Sequence, residues 1–352
     1  MREQRRFGSA AVWLPVVWVV SASICLAGGG LDLSPQSPLA PLLAVYKKDL
    51  AGQRVILPNV QFVLPRQDRE GNAWERYQRA AELISQAYSQ SPGLAARPPE
   101  DQLRAPGVRL AVVEFYDATR TARFDVSDLA VAAASFLETE DQVYRTLQGV
   151  EALARLTLET GAAQQAAGQF DNATDNAQTL LALSQHWLSM PLNTFMIQTG
   201  FRYEHEALRA LTAIYKATAR PDLEQRTSAA AIQIERQQDQ WRRKGDVLIK
   251  FLPSEHPELL TIIRDDLLAD ADPAFHLFVL ECVNEWLRQT LNRTPEPAFD
   301  FRLGYEDRKN MRLLFLAERE LIRRLADRFE SSGVVGIAFQ ARQMRELIAK
   351  VN

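Results

Sequence analysis

Between Glu140 and Arg220, apolar residues recur at steps of three and four, the spacing that lines one face of an α-helix. Val143, Leu147, Val150, Ala154, Leu158 and Gly161 form a first stripe, and Leu153 and Leu156 widen it enough to meet two neighbours. The stripe thins to Ala162, Ala163, Ala166 and Ala167 and stops at Gly168, the residue type that most readily takes the left-handed conformation closing a helix. Phe170, Ala173, Ala177, Leu180, Ser184, Trp187 and Leu188 then give a second stripe in a new phase. Asp171 and Asp175 place negative charge near its positive end. Pro191 closes that helix. A third carries two apolar faces, one with Leu192, Met196, Thr199, Tyr203, Ala207, Leu211 and Ile214, the other with Ile197, Phe201, Leu208 and Tyr215. Such a helix is sandwiched. Gly200 in its middle costs roughly 1 kcal/mol against Ala, which predicts a close approach of a neighbouring backbone. Arg220 and Pro221 end it.

The flanks read the same way. Asn72 sits as an N-cap ahead of Tyr77, Ala80, Ile84 and Tyr88, the stripe of the first firm helix. A proline-rich loop spans Ser91 to Gly107, Leu110 to Arg120 is a further helix, and Ala122 to Asp128 is an irregular joint. Leu129 to Leu137 is helical. After Pro221, helix is expected from Leu223 to about Gly245, with residues 246–252 apolar up to a break at Pro253. The segment Phe275 to Leu291 is apolar nearly all round, which predicts burial. A long surface helix follows at Met311 to Phe329, and Gly333 and Gly336 introduce the last one. The fold class is therefore all-α: antiparallel helical hairpins forming a tetratricopeptide-like solenoid or an irregular bundle over residues 72–352, with its hairpin core at 140–220.

Ahead of this domain, Arg2, Arg5 and Arg6 precede an uncharged run from Phe7 to Leu31. Residues 1–31 read as a signal peptide or an N-terminal transmembrane anchor, because the run exceeds the ~7–15 residues of a signal core and approaches the ~20 that span a bilayer. Either way the positive-inside rule puts the rest of the chain outside the cytoplasmic membrane, in the cell envelope, anchored or secreted. Ile24 before Cys25 is too large for a lipobox. Residues 32–71 read as a proline-containing linker and extended arm, in which residues 55–57 and 60–64 are apolar pieces broken by prolines.

Composition narrows the chemistry. The chain has 352 residues, 47% of them hydrophobic, and a net charge of −3, so it can bury a large core and offers no basic character for nucleic acid. Two cysteines, Cys25 and Cys282, build no disulfide framework. The four histidines, His186, His205, His256 and His276, stand in no ligand spacing, and Tyr203-Glu204-His205-Glu206 lacks the second histidine of a helical zinc site. Asp270, Asp272 and Glu281 match three positions of a calcium loop, but Ala274 and Phe275 replace a ligand and the turn glycine. Asp272-Pro273 reads instead as a helix start. No phosphate-binding glycine loop or nucleophile elbow occurs, and no cofactor or metal is expected. Trp241 beside Arg242, Arg243 and Lys244 reads as a helix end with cations suited to its dipole.

Gly161, Gly168-Gln169-Phe170 and Ala173 resemble the tetratricopeptide pattern over one hairpin, with Gln164 where that family has an aromatic. More broadly, Asn72, Ala73, Tyr77 and Ala80, the joint Arg123 to Asp125 and that hairpin resemble a group of exported bacterial α-helical proteins over residues 72–220. That resemblance implies a helical fold and brings no activity with it. The expected function is an extracytoplasmic α-helical scaffold that binds a protein or peptide partner in a groove between helices, with Trp187, Phe201, Tyr203, His205 and Tyr215 as candidate groove or pocket residues. The alternative is a cell-envelope hydrolase or ligand-sensing domain with a carboxylate or aromatic pocket, which two converging, perturbed carboxylates in a deep pocket would favour.

Overall fold

Asn72 shows how the sequence closes its first helix. Its backbone is extended, and its side-chain oxygen accepts from the Trp74 amide at 3.2 Å, the bond expected of an N-cap. The same side chain accepts from the Asp125 amide and donates to the Asp125 carbonyl, so the cap also ties down the joint fifty residues later.

The protein is seen here in a computed structural model that describes residues 68–131, 135–251, 276–277, 280–281, 284, 288, 322–323 and 326–350, without the side chains of 130–131 and 240–251. The N-terminal apolar run, most of the linker and arm, the side chains of Trp241 to Lys244 and the Asp270–Pro273 segment lie outside this description. Among the described residues the regular structure is helical, apart from a single isolated parallel bridge between Arg69 and Thr121. The elements are α1 (Ala73–Gln90), a 3₁₀ turn (Leu94–Ala96), α2 (Pro99–Arg104), α3 (Pro106–Thr119), α4 (Ser127–Val131), α5 (Phe136–Ala166), α6 (Phe170–Ser189), α7 (Thr194–Ala217), α8 (Pro221–Phe251) and α9 (Val335–Lys350). The described residues at 276–288 and 322–330 are helical too. Among the described residues no helix is long and apolar enough to cross a membrane.

Helices α5 to α8 follow one another through short turns and pack as antiparallel neighbours, while α1 and α3 pack together against α5 and α6. The turn after α5 is a Schellman motif. The Gly168 amide bonds the Gln165 carbonyl, the Gln169 amide bonds the Gln164 carbonyl, and Gly168 has φ +75°. The turn after α7 repeats these bonds, from Ala219 to Lys216 and from Arg220 to Tyr215, with Ala219 at φ 54° where glycine would be expected. Helix α9 packs on α4 and α5, and its Gly336 lies against the Pro191 carbonyl in the turn between α6 and α7.

Several expectations are refined. The first stripe is buried except for half-buried Leu158, and α7 buries both of its faces, as a sandwiched helix must. Gly200 is buried, but what crowds it is the Leu188 side chain, whose Cγ would lie 2.9 Å from an added Cβ, and not a backbone. The backbone contact falls instead at Gly149, where an added Cβ would lie 2.6 Å from the Ala81 Cα on α1. The segment read as helix from Leu129 to Leu137 divides into α4 and the start of α5, because Ser135 takes extended backbone and caps α5. The proline-rich loop holds α2, opened by Pro99, and α3 starts four residues early, at Pro106. Helix α8 runs unbroken through Gly245 to Phe251.

Candidate functional site

The first turns of α5 and α7 each leave amide groups without partners inside their own helix. Both are closed by a glutamate from the C-terminal part of the chain. Glu346 on α9 accepts from the amides of Phe136 and Leu137 and from the Ser135 hydroxyl. Glu281 accepts from the Thr194 amide at 2.6 Å and from its hydroxyl, while Asn193 caps the same helix through the Met196 amide.

The two glutamates titrate in opposite directions. Burial works to raise Glu346, but bonds from Lys350, Ser135, Phe136 and Leu137 outweigh it and hold the carboxyl below its ordinary value. Burial pushes Glu281 up to about 8, against the pull of the two Thr194 bonds; Glu140 adds to the rise and Arg288 opposes it. Glu140, just past the first turn of α5, is buried and is itself raised by burial, although Arg288 hydrogen-bonds it.

Amides fill the space around these carboxylates. Asn284 is fully buried and directs Nδ2 at the Gln340 carbonyl, at Gln340 Oε1 and at Gln343 Oε1, between 2.8 and 3.0 Å away. A main-chain carbonyl can only accept, so this contact fixes which end of Asn284 is nitrogen. Its Oδ1 makes no hydrogen bond. Glu281, Asn284 and Arg288 follow at steps of three and four and so form one row on their helix. The Gln343 amide helps to hold Glu140 ionised, but its Nε2 does not reach hydrogen-bond geometry. Gln340 also donates to the Leu192 carbonyl, which ties α9 to the turn before α7. With both carboxylates ionised, the formal charges of Glu140, Glu281 and Arg288 sum to one negative charge. The set can hold a proton in its place.

The residues expected to line a groove are placed differently. Trp187, Phe201 and Tyr203 are buried, and Trp187 and Tyr203 meet edge to face at 6.4 Å between α6 and α7. They serve as core packing. His205 and Tyr215 are half-buried, further along α7. Arg202 lies over the Tyr203 ring and bonds Glu151 on α5 at 2.7 Å. A cavity of about 50 Å³ between α5, α6 and α7 is lined by Thr157, Gly161, Gln165, Asn176 and Ile214 among others, and by none of the five. Asp270 and Asp272 lie outside the described residues, and Glu281, the third acid of that pattern, caps α7. No group of three or more metal-capable side chains occurs among the described residues.

Two further buried ionisable groups stand apart. His186 on α6 stacks on Phe124 at 5.3 Å and meets the Tyr77 hydroxyl at 2.9 Å; burial lowers it to about 4, with a bond to the Thr121 backbone opposing. Glu204 on α7 is pushed up to about 7 by burial, with Ser184 favouring its ionised form. The sequence carried a sign of these groups and of the cluster: a polar residue on an otherwise apolar stripe. Glu140 falls one turn before Val143, Asn284 sits in the segment apolar all round, and Gln340 and Gln343 lie on the buried face of α9. No protein-family model, curated protein or solved structure matches this chain.

Proposed function

We propose that the protein is an α-helical scaffold that binds a protein or peptide partner outside the cytoplasmic membrane. The observation that carries this reading is on α3, where Leu110 and Val113 are 58% and 57% exposed and stand one turn apart on the same face. Helix α3 is anchored on its other face through Val108, Ala111, Phe115 and Ala118, so it presents the pair on a rigid support. Neighbouring exposed apolar side chains on a fixed helix suit the apolar anchors of a partner. The α5–α6 hairpin, with Gly161 against Asn176 and its Schellman turn at Gly168, supports a tetratricopeptide-like unit within the scaffold. The charged N-terminus and apolar run support the extracytoplasmic address. Affinity capture from envelope extracts with the wild-type chain and with the double variant Leu110→Glu, Val113→Glu tests the reading. A partner held by the first and lost by the second, at unchanged melting temperature, is the expected result. Retention of the same partners by both chains overturns it.

A second reading, a ligand-sensing domain, is favoured by one observation. Glu140 and Glu281 are two carboxylates raised by burial, with Glu140 adding to the rise of Glu281, in a cluster with a fully buried amide whose oxygen has no hydrogen bond.

A further inference from the structure

Leu110, Val113, Asp117 and Arg120 follow one another at steps of three and four, so they form one row along α3 and its C-cap. The polar end of that row already holds the chain's own N-terminal side. Arg120 binds the Asp68 carboxylate through two nitrogens, with Nε 2.9 Å from Oδ1, and Asp117 accepts from Arg69 Nε at 2.6 Å. The Arg69 amide donates to the Arg120 carbonyl, and Arg69 pairs with Thr121 in a parallel bridge. In a parallel pairing the residues before Arg69 run beside the residues before Thr121, which is back along α3 towards Val113 and Leu110. Leu110 precedes Arg120 by about 15 Å on the helix axis, at a rise of about 1.5 Å per residue. An extended chain covers that distance in about five residues. Counted back from Asp68, this carries the arm past Gln67 and Arg66 to the apolar run Phe62-Val63-Leu64-Pro65. The two surfaces change character in step: polar arm residues fall at Asp117 and Arg120, apolar ones at Val113 and Leu110. Pro58 and Pro65 suit a segment laid on a helix, where no strand ladder needs their missing donors.

We propose that residues 62–65 of the arm dock on the Leu110–Val113 face of α3 and cover it until a partner displaces them. The docking stands on the pinned row; its regulatory sense, competition with a partner, rests on the reading of α3 as a partner surface. Leu110 and Val113 are each more than half exposed, so apolar arm residues laid over them remove apolar area from water. The ion pairs at Asp68 and Arg69 make that contact intramolecular. A short tether gives an effective concentration on the order of millimolar, so a weak apolar contact suffices to close the face, and an untethered partner has to bind more tightly to open it. A second copy of the chain has no such anchor beside this row.

Photo-crosslinking of the purified full-length chain provides the test, with benzoylphenylalanine placed at position 110 or at position 113 and the linked peptides mapped by mass spectrometry. Links from both positions into residues 60–66 of the same molecule are expected, at a yield independent of protein concentration. The arm variant Phe62→Glu, Leu64→Glu should lower that yield several-fold, and Arg120→Ala, which removes the pin on Asp68, should lower it as well. Absence of links to the arm overturns the proposal, as do links between two copies whose yield rises with concentration, or a yield unchanged in both variants. The regulatory sense has its own readout: the arm variant, without the photo-crosslinker, should capture several-fold more partner from envelope extracts than the wild-type chain. Equal capture by the two overturns the competition. Intramolecular links together with no partner captured by either chain sink the partner reading of α3 and leave the docking in place, so the two failures are told apart.

Discussion

Ala219 occupies the one described non-glycine position with positive φ, at 54°, and does so to complete the turn after α7. A side chain in the left-handed region costs roughly 1–2 kcal/mol. Ala219→Gly should therefore stabilise the protein by about 1 kcal/mol and raise the thermal midpoint by a few degrees; a lowered midpoint would show that the turn is built otherwise. Gly200→Leu should act in the opposite sense, since the space above Gly200 is filled by Leu188, and the overpacking should cost about 1–3 kcal/mol in urea unfolding. An unchanged midpoint would place Gly200 in a looser setting. These residues also show what a sequence can reveal. Gly168 announced its turn because glycine is the residue such a turn favours, whereas Ala219 makes the same turn with a residue that signals nothing. Gly200 indicated a close contact, but a helix pattern does not say whether backbone or a leucine fills it.

Helix periods were legible because each stripe is a local property of 3.6-residue repetition, and Val143 to Gly161 needed no knowledge of the partner helix. Helix ends were legible where the cap is local. Asn72 is such a case, and Asn72→Ala should cost about 0.5–2 kcal/mol from the cap alone. Loss of its two bonds to Asp125 puts the expected value at the upper end, measured as a reduced midpoint in chemical denaturation. A change within a few tenths of a kcal/mol would show that the joint holds without it. The caps on α5 and α7 by Glu346 and Glu281 were not legible, since partners 210 and 87 residues away leave no spacing rule. The candidate cluster shares this property. Its acids, amides and arginine come from α5, α9 and the described helical residues Glu281, Asn284 and Arg288, and only the folded chain brings them together.

At the scale of the molecule, buried ionisable groups set how stability follows pH. His186 is lowered to about 4 from 6.5, so its contribution is complete above pH 6.5 and is lost as pH falls towards 4. Asp125 and Glu346, both lowered, add to the loss in acid. Glu281 and Glu204 are raised from 4.5 to about 8 and about 7, so their contribution is present below pH 4.5 and is lost as pH rises through those values. The opposing slopes overlap between 4.5 and 6.5, and above that window the two carboxylates act without the histidine. Urea unfolding from pH 6.5 to 8.5 should therefore show falling stability, and Glu281→Gln should flatten the fall. A decline of the same slope in that variant would assign it to another group. The trans caps also bear on how the molecule is made. Ser135, which opens α5, is separated from Glu346 by 211 positions. At a ribosome speed of about 5–20 residues per second, that is a wait of roughly 10–40 s. During it the hairpin exists as a nascent chain in which Ser135 caps the Glu138 amide but the Phe136 and Leu137 amides wait for Glu346. A polypeptide released before α9 would therefore leave the ribosome with every hairpin helix written and the entry to α5 only half closed against proteases.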